Sequence, residues 1–318
     1  MIATGGLTVT CCGWHANTVF STILAWGFDM ALVPYDAREG FIWLNGEFVA
    51  WQDANLHVLS HGLHYASAVF EGERAYGGEV FKLTEHSQRL IDSAKILGFD
   101  IPYTVEELNQ ATKDTIAKNG LSDCYVRPIA WRGSEEMGVS AQSTKINVAI
   151  AVWEWGAYYT DLTLTRAKYK RPSPETAPVE SKAAGLYMIC TICKHEAEAA
   201  GFADALMLDY RGYIAETTSA NIHLVIDGVI HSPKPDCFLN GITRQAALQM
   251  ARDRGIEVVE RHIDPADLDK AQEIFVTGTA AEITPVTAID DKKYQVGQIT
   301  KVLMEDFRAA TRALSANK

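Results

Sequence analysis

Four short segments of this chain carry residue types that could do chemistry together. Ser181-Lys182-Ala183-Ala184-Gly185-Leu186-Tyr187 sets a primary amine beside small residues, with a phenol further on. Small neighbours let a ligand approach closely, and a lysine freed of its proton attacks carbonyl carbon. Most lysines are solvated surface groups, so read alone the segment favours an ordinary exposed lysine. Gly212-Tyr213-Ile214-Ala215-Glu216-Thr217-Thr218-Ser219-Ala220-Asn221 puts one carboxylate, Glu216, at a strand end before small polar residues; by itself this is an ordinary turn. In Asn240-Gly241-Ile242-Thr243-Arg244 a glycine leads straight into a helix. The free amides at such a helix start can hold an anion, with simple N-capping by Thr243 as the competing reading. Thr277-Gly278-Thr279-Ala280-Ala281-Glu282-Ile283-Thr284-Pro285-Val286 ends a strand in a turn of small residues whose amides and hydroxyls would also suit an oxyanion.

These segments need elements to hold them. Asn45-Gly46 predicts a hairpin over 41–51, and Gly77-Gly78 a second one. Thr84 is expected to cap a helix through Arg89, Leu90 and Ile96, with Gly98 just beyond it. Thr104 and Glu107 form a capping box for the next helix, which stops near Asn119-Gly120. Apolar strands follow at 125–132 and 145–155, and the short turns require mostly antiparallel pairing. The segment 171–178 holds three prolines, and composition alone places a linker there. Beyond it the pattern predicts a helix over 184–200 and strands at 204–209, 213–216 and 221–231. A helix from Thr243, strands near 256–262, 273–277 and 282–288, and a last helix from about 297 complete the chain.

A length of 318 residues suggests two domains, and 47% hydrophobic residues can bury a large core. The net charge of −11 disfavours a nucleic acid or an anionic membrane as partner. An anionic substrate would then need a few placed arginines. Six cysteines are too sparse for a disulfide scaffold, which points to reduced thiols in a cytoplasmic protein. Cys190 and Cys193 have C-x-x-C spacing but no second pair, so a buried helix face is favoured over zinc, and no metal is expected. The first 28 residues lack Lys, Arg, Asp and Glu and resemble neither a signal nor a transit peptide. There is no dinucleotide fingerprint, Walker loop, nucleophile elbow or H-E-x-x-H.

Together and in this order, the four segments resemble the class IV aminotransferases, and Gly278–Val286 looks like the branched-chain amino acid members. Leu63-His64-Tyr65, Phe70-Glu71-Gly72, Gln88-Arg89-Leu90, Tyr125-Val126-Arg127-Pro128 and Trp155-Gly156-Ala157-Tyr158 extend the resemblance over about residues 40–315. It implies an α+β, fold type IV protein in two α/β domains, a small one over 30–153 and a larger cofactor-binding one over 162–318. Glu154 to Asp161 becomes the linker, displacing the proline-rich segment. The extension 1–29 is expected to be dispensable; it is either a mis-assigned start, with Met30 the true one, or a real extension docked on the dimer.

The resemblance also assigns roles. Lys182 would form the Schiff base with pyridoxal 5′-phosphate, Glu216 would face the pyridine nitrogen, and Tyr187 the ring 3-oxygen. Arg89, Ile242, Thr243 and Thr279 would bind the phosphate. Tyr125, Thr279 and Ala280 would meet the substrate α-carboxylate. Arg127, helped by Tyr65 and Tyr158, would meet the side-chain carboxylate of glutamate, while Phe70, Trp155 and Val139 line an apolar pocket. Family members are dimers, so Tyr65 and Val139 are expected to reach the partner's site. The implied reaction moves the amino group of leucine, isoleucine or valine to 2-oxoglutarate. A D-amino acid or amine transaminase, or an aminodeoxychorismate lyase, is the alternative on the same fold. The sequence departs from the family pattern at Ala184, Leu186, Thr217 and His223; at His223 an aromatic or aliphatic residue is expected.

Overall fold

The computed structural model describes residues 33–156 and 162–316, with side chains placed up to residue 314. The extension 1–29, most of the linker and Tyr158 therefore lie outside the described residues. Asp36–Lys318 form one compact unit.

The first lobe is built on a seven-stranded antiparallel sheet. Its elements are β1 (Phe41–Leu44), β2 (Glu47–Ala50), α1 (His61–Tyr65), β3 (Ala68–Phe70), β4 (Glu73–Tyr76), β5 (Glu79–Val80), α2 (Leu83–Ile96), α3 (Val105–Lys118), β6 (Cys124–Arg132) and β7 (Ile146–Glu154). Asn45 and Gly46 both take positive φ, 53° and 100°, as the tight β1–β2 turn demands. The Thr104–Glu107 capping box is present at the start of α3. The expected cap of α2 is not. Lys82 precedes that helix in a left-handed conformation without a side-chain cap. Thr84 lies inside the first turn, where its hydroxyl instead accepts from Asn109 Nδ2 on α3. Alternation along β6 decides what faces where: Cys124, Val126 and Ala130 join the core with Leu90 of α2 and Leu108 of α3. Tyr125 and Arg127 are therefore turned to the opposite face of the sheet.

The second lobe comprises β8 (Leu162–Arg166), a 3-10 turn at Ala184–Tyr187, α4 (Met188–Ala199), β9 (Asp204–Leu208), β10 (Ile214–Thr217), β11 (Asn221–Ile226), β12 (Val229–Pro233), α5 (Ile242–Asp253), β13 (Val258–Arg261), β14 (Glu273–Gly278), β15 (Glu282–Ile289), β16 (Lys292–Lys293) and α6 (Gln298–Ala316). Six of its strands form a ring, β10-β9-β8-β15-β14-β11, that closes through the Glu216–Asn221 pair. Parallel pairing appears where β8 meets β9 and β15, and outside the ring where β12 meets β13. Because β8 already belongs to this second sheet, the proline-rich 171–178 lies within the second lobe rather than between the sheets. Among the described residues no helix is long and apolar enough to cross a membrane.

Candidate active site

The amine of Lys182 is positioned from both lobes. Its backbone N–H donates to Ser93 Oγ on α2 at 3.0 Å, and its carbonyl accepts from Phe70 N of β3 at 3.2 Å. Its Nζ donates to the Tyr187 hydroxyl at 3.1 Å. The 3-10 turn after the lysine brings that phenol back beside it. Nζ also sits 5.2 Å from the centre of the Phe70 ring, which meets the Tyr187 ring in a T-shaped pair with centres 4.8 Å apart. Gly185 keeps the turn close to the first lobe, since a Cβ there would stand 3.0 Å from that of Ala66.

A cleft, partly open to solvent, is lined by Lys182, Tyr187, Arg89, Glu216, Thr243 and Thr279 among others. Glu216 stands where the strand ring closes. One oxygen accepts from Asn221 Nδ2 at 3.3 Å. The other is 3.1 Å from Arg171 Nε, in ion-pair contact although the N–H is not aimed along it. Burial raises the Glu216 carboxyl to about 7, against the pull of Arg171 and Lys182 toward ionisation. Arg171 is itself fixed by donating from Nη1 to Cys190 Sγ and to Leu186 O.

At the other end of the cleft, α2 places His86, Arg89 and Ser93 on one face, as their spacing of three and four residues requires. Glu71 is wholly buried and accepts from Arg89 Nε at 2.7 Å and Nη2 at 2.8 Å, with His86 Nδ1 2.7 Å away. Burial alone would raise the Glu71 carboxyl, but Arg89 and His86 hold it well below the usual carboxylate range. Arg89 Nη1 has no partner although it is buried. On the same cleft α5 begins after Gly241, which offers no side chain to the first amides of the helix. Thr243 is the second helical residue rather than the cap, so the N-capping alternative falls. A Cβ at Gly241 would lie 2.2 Å from Asn221 Oδ1, so only glycine lets the helix start approach this closely.

Beyond Phe70 the site continues on β6. The Arg127 guanidinium lies 4.9 Å above the Phe70 ring and donates from Nη2 to the Tyr125 hydroxyl at 3.1 Å. Tyr125 packs against Trp155 at 4.9 Å. A Cβ on Gly72 would strike the Tyr125 hydroxyl, so this glycine makes room for the phenol.

The chain matches the family model "Amino-transferase class IV" over residues 68–289. It belongs to the class IV aminotransferases. This aminotransferase is 40% identical over 289 residues to a probable branched-chain-amino-acid aminotransferase of Rickettsia conorii, covering 89% of this chain and all of that one. It superimposes on the branched-chain aminotransferase of Thermoproteus uzoniensis, solved with norvaline, with a TM-score of 0.84, 36% identity and coverage of 88% of this chain and 96% of that one. An aminotransferase from Brucella abortus, solved bound to the cofactor PLP, gives a TM-score of 0.79 at 30% identity, covering 86% of this chain and 100% of that one.

In the aminotransferase, Lys182, Tyr187, Glu216, Arg89, Ile242, Thr243 and Thr279 come together around the one cleft. Phe70, Tyr125, Arg127 and Trp155 form a connected chain leading from it. Ala280, half-buried, follows Thr279 in the turn after β14. Tyr65 and Val139 are apart from this group, 45% and 88% exposed. His61 joins them by stacking on Tyr65 at 4.6 Å while its Nε2 lies 2.8 Å from the carbonyl of Gly138. Three participants escape the sequence reading: Arg171, Asn221 as a tie between Glu216 and the Leu239 carbonyl just ahead of α5, and Glu71 as the clamp on Arg89. Glu71 sits inside the Phe70-Glu71-Gly72 motif, so the signal is present without its role. Arg171 has no local signal.

Proposed function

We propose that this aminotransferase exchanges the amino group between L-leucine, L-isoleucine or L-valine and 2-oxoglutarate, yielding the branched-chain 2-oxo acid and L-glutamate. The carrying observation is the sequence of surfaces from Lys182 through Phe70 to Arg127, Tyr125 and Trp155: an apolar wall that ends in one arginine. Apolar side chains pack on the aromatic rings, and the arginine admits a substrate with a second carboxylate by a charge-assisted hydrogen bond. The names of the relatives agree with this reading.

The residues present fit pyridoxal 5′-phosphate. A buried guanidinium nitrogen without a partner and a helix start with uncapped amides belong to residues lining one cleft, as a phosphate dianion requires. Lys182 would hold the aldehyde carbon, Glu216 the ring nitrogen, and Tyr187 the ring oxygen, while Arg89, the amides of Ile242 and Thr243, and Thr279 would hold the phosphate. When bound, the cofactor supplies an electron sink. The chain's own part is to keep that sink charged and to move protons. Glu216, with Arg171 behind it, favours a protonated ring nitrogen. The Lys182 amine, once displaced by substrate, takes the proton from the substrate Cα and returns it. Tyr125 and the amides of Thr279 and Ala280 would orient the α-carboxylate.

The division into lobes 30–153 and 162–318, hinged at 154–161, belongs to the same proposal, as does a homodimer. Tyr65 and Val139, joined through His61 and turned outward, would complete the apolar pocket of a partner subunit. One panel of amino donors with 2-oxoglutarate tests the reading. Turnover of leucine, isoleucine and valine is expected, and activity confined to D-alanine or to amines would overturn it.

A further inference from the structure

Strands β11 and β14 run antiparallel, with Asn221 opposite Thr277 and His223 opposite Phe275. Directly opposed residues and those two apart share a face of a sheet, so these four side chains stand together. Thr277 lines the cofactor cleft, and Asn221 reaches Glu216 from it. Behind them His223 is fully buried and stacks on Phe275 with ring centres 4.7 Å apart. Its Nε2 is 3.0 Å from Thr277 Oγ1, and its Nδ1 has no partner.

That single contact decides which ring nitrogen carries hydrogen. Burial, reinforced by the nearby Arg244 guanidinium, holds the imidazole in its neutral form, with one N–H. A hydrogen on Nδ1 would leave a buried donor without an acceptor, the rarer and costlier kind of orphan. A hydrogen on Nε2 donates to Thr277 Oγ1 and leaves only a bare lone pair on Nδ1. The threonine hydroxyl, already accepting from the ring, must then turn its own hydrogen away from it, and the cleft that Thr277 lines offers a place for an acceptor.

We propose that His223 is a positioning residue that fixes the Thr277 hydroxyl as a hydrogen-bond donor to the phosphate of the cofactor, adding one donor to the site made by Arg89, the start of α5 and Thr279. This rests on the assignment of pyridoxal 5′-phosphate above. It concerns a position at which this chain departs from the residue expected in the family, and it gives the departure a use.

The test measures binding rather than turnover. The full chain, stripped of cofactor, is titrated with pyridoxal 5′-phosphate and separately with pyridoxal, which lacks the phosphate, following absorbance. In His223→Phe the stack on Phe275 is kept and the donor lost; affinity for the phosphorylated compound should fall about tenfold, with pyridoxal unchanged. In His223→Gln an N–H is returned near the place of Nε2, and most of the loss should be recovered. Thr277→Val should reproduce the loss, and adding His223→Phe to it should cost nothing further. Equal losses for both compounds, no loss, or additive losses in the double variant would each overturn the proposal. Should His223→Phe fail to fold, the ratio in Thr277→Val decides. If the unaltered protein bound neither compound, the cofactor assignment would fall first, and this inference with it.

Discussion

Glu71 engages two of the three guanidinium nitrogens of Arg89, at 2.7 and 2.8 Å, and leaves the third unpaired beside the cleft. The carboxylate thus fixes the plane of the guanidinium before anything binds. Glu71→Gln keeps the shape but gives up the charge and one bidentate contact. Cofactor affinity should fall about tenfold or more, consistent with ~1.5–3 kcal/mol for a charge-assisted bond. Absorbance titration measures it, and an unchanged dissociation constant would show that Arg89 needs no clamp.

Lys182 is expected to be the residue that carries the cofactor. Borohydride reduction of the loaded enzyme followed by peptide mapping should place the pyridoxyl group there. Recovery of the label on Lys194, or on any other lysine, would refute the assignment.

Glu216→Gln should retain the cofactor yet slow proton abstraction, because a neutral amide does not favour a protonated ring nitrogen. Wild-type turnover in that variant would remove the role. The same residue predicts a pH effect in the enzyme stripped of cofactor. Burial raises its carboxyl from 4.5 to about 7 in the folded state, so the folded chain holds this proton longer than the unfolded one. The stability that this contributes is fully present below about 4.5 and is lost as pH rises through about 7, amounting to about 3 kcal/mol. The difference in unfolding free energy between the parent and Glu216→Gln should follow that curve. A difference independent of pH would mean that the carboxyl titrates normally.

Arg127→Ala should impair glutamate and 2-oxoglutarate by about ten- to a hundredfold while leaving leucine much less affected. The aromatic wall of Phe70, Tyr125 and Trp155 survives the change. Comparing kcat/KM for the two donors checks it, and equal losses would make Arg127 a support for Tyr125 through their 3.1 Å bond rather than a substrate contact.

What the sequence made legible was local. The Asn45-Gly46 hairpin, the Thr104–Glu107 box and the apolar strand at 125–132 each depend on neighbours in the chain, and each stands in the structure. The cap of α2 did not follow, because a left-handed Lys82 starts that helix and Thr84 finds a partner on α3 instead. The site residues came from recognised motifs, and the motifs end where tertiary contacts begin. Arg171 meets Glu216 only after the chain has wound from β8 to the lysine, and nothing in Arg171-Pro172-Ser173-Pro174 announces a buried cation. His223 was visible as an anomaly, but its contact with Thr277 requires two strands far apart in sequence to be laid side by side.

The backbone of Lys182 is held from the other lobe, by Ser93 on one side and Phe70 on the other. If Lys182 carries the cofactor, as proposed, the colour of the loaded enzyme reports on a part of the protein to which that amine does not belong. If the first lobe loosens in heat or denaturant, α2 and β3 release the lysine, and the visible band should fade while the strand ring of the second lobe is still intact.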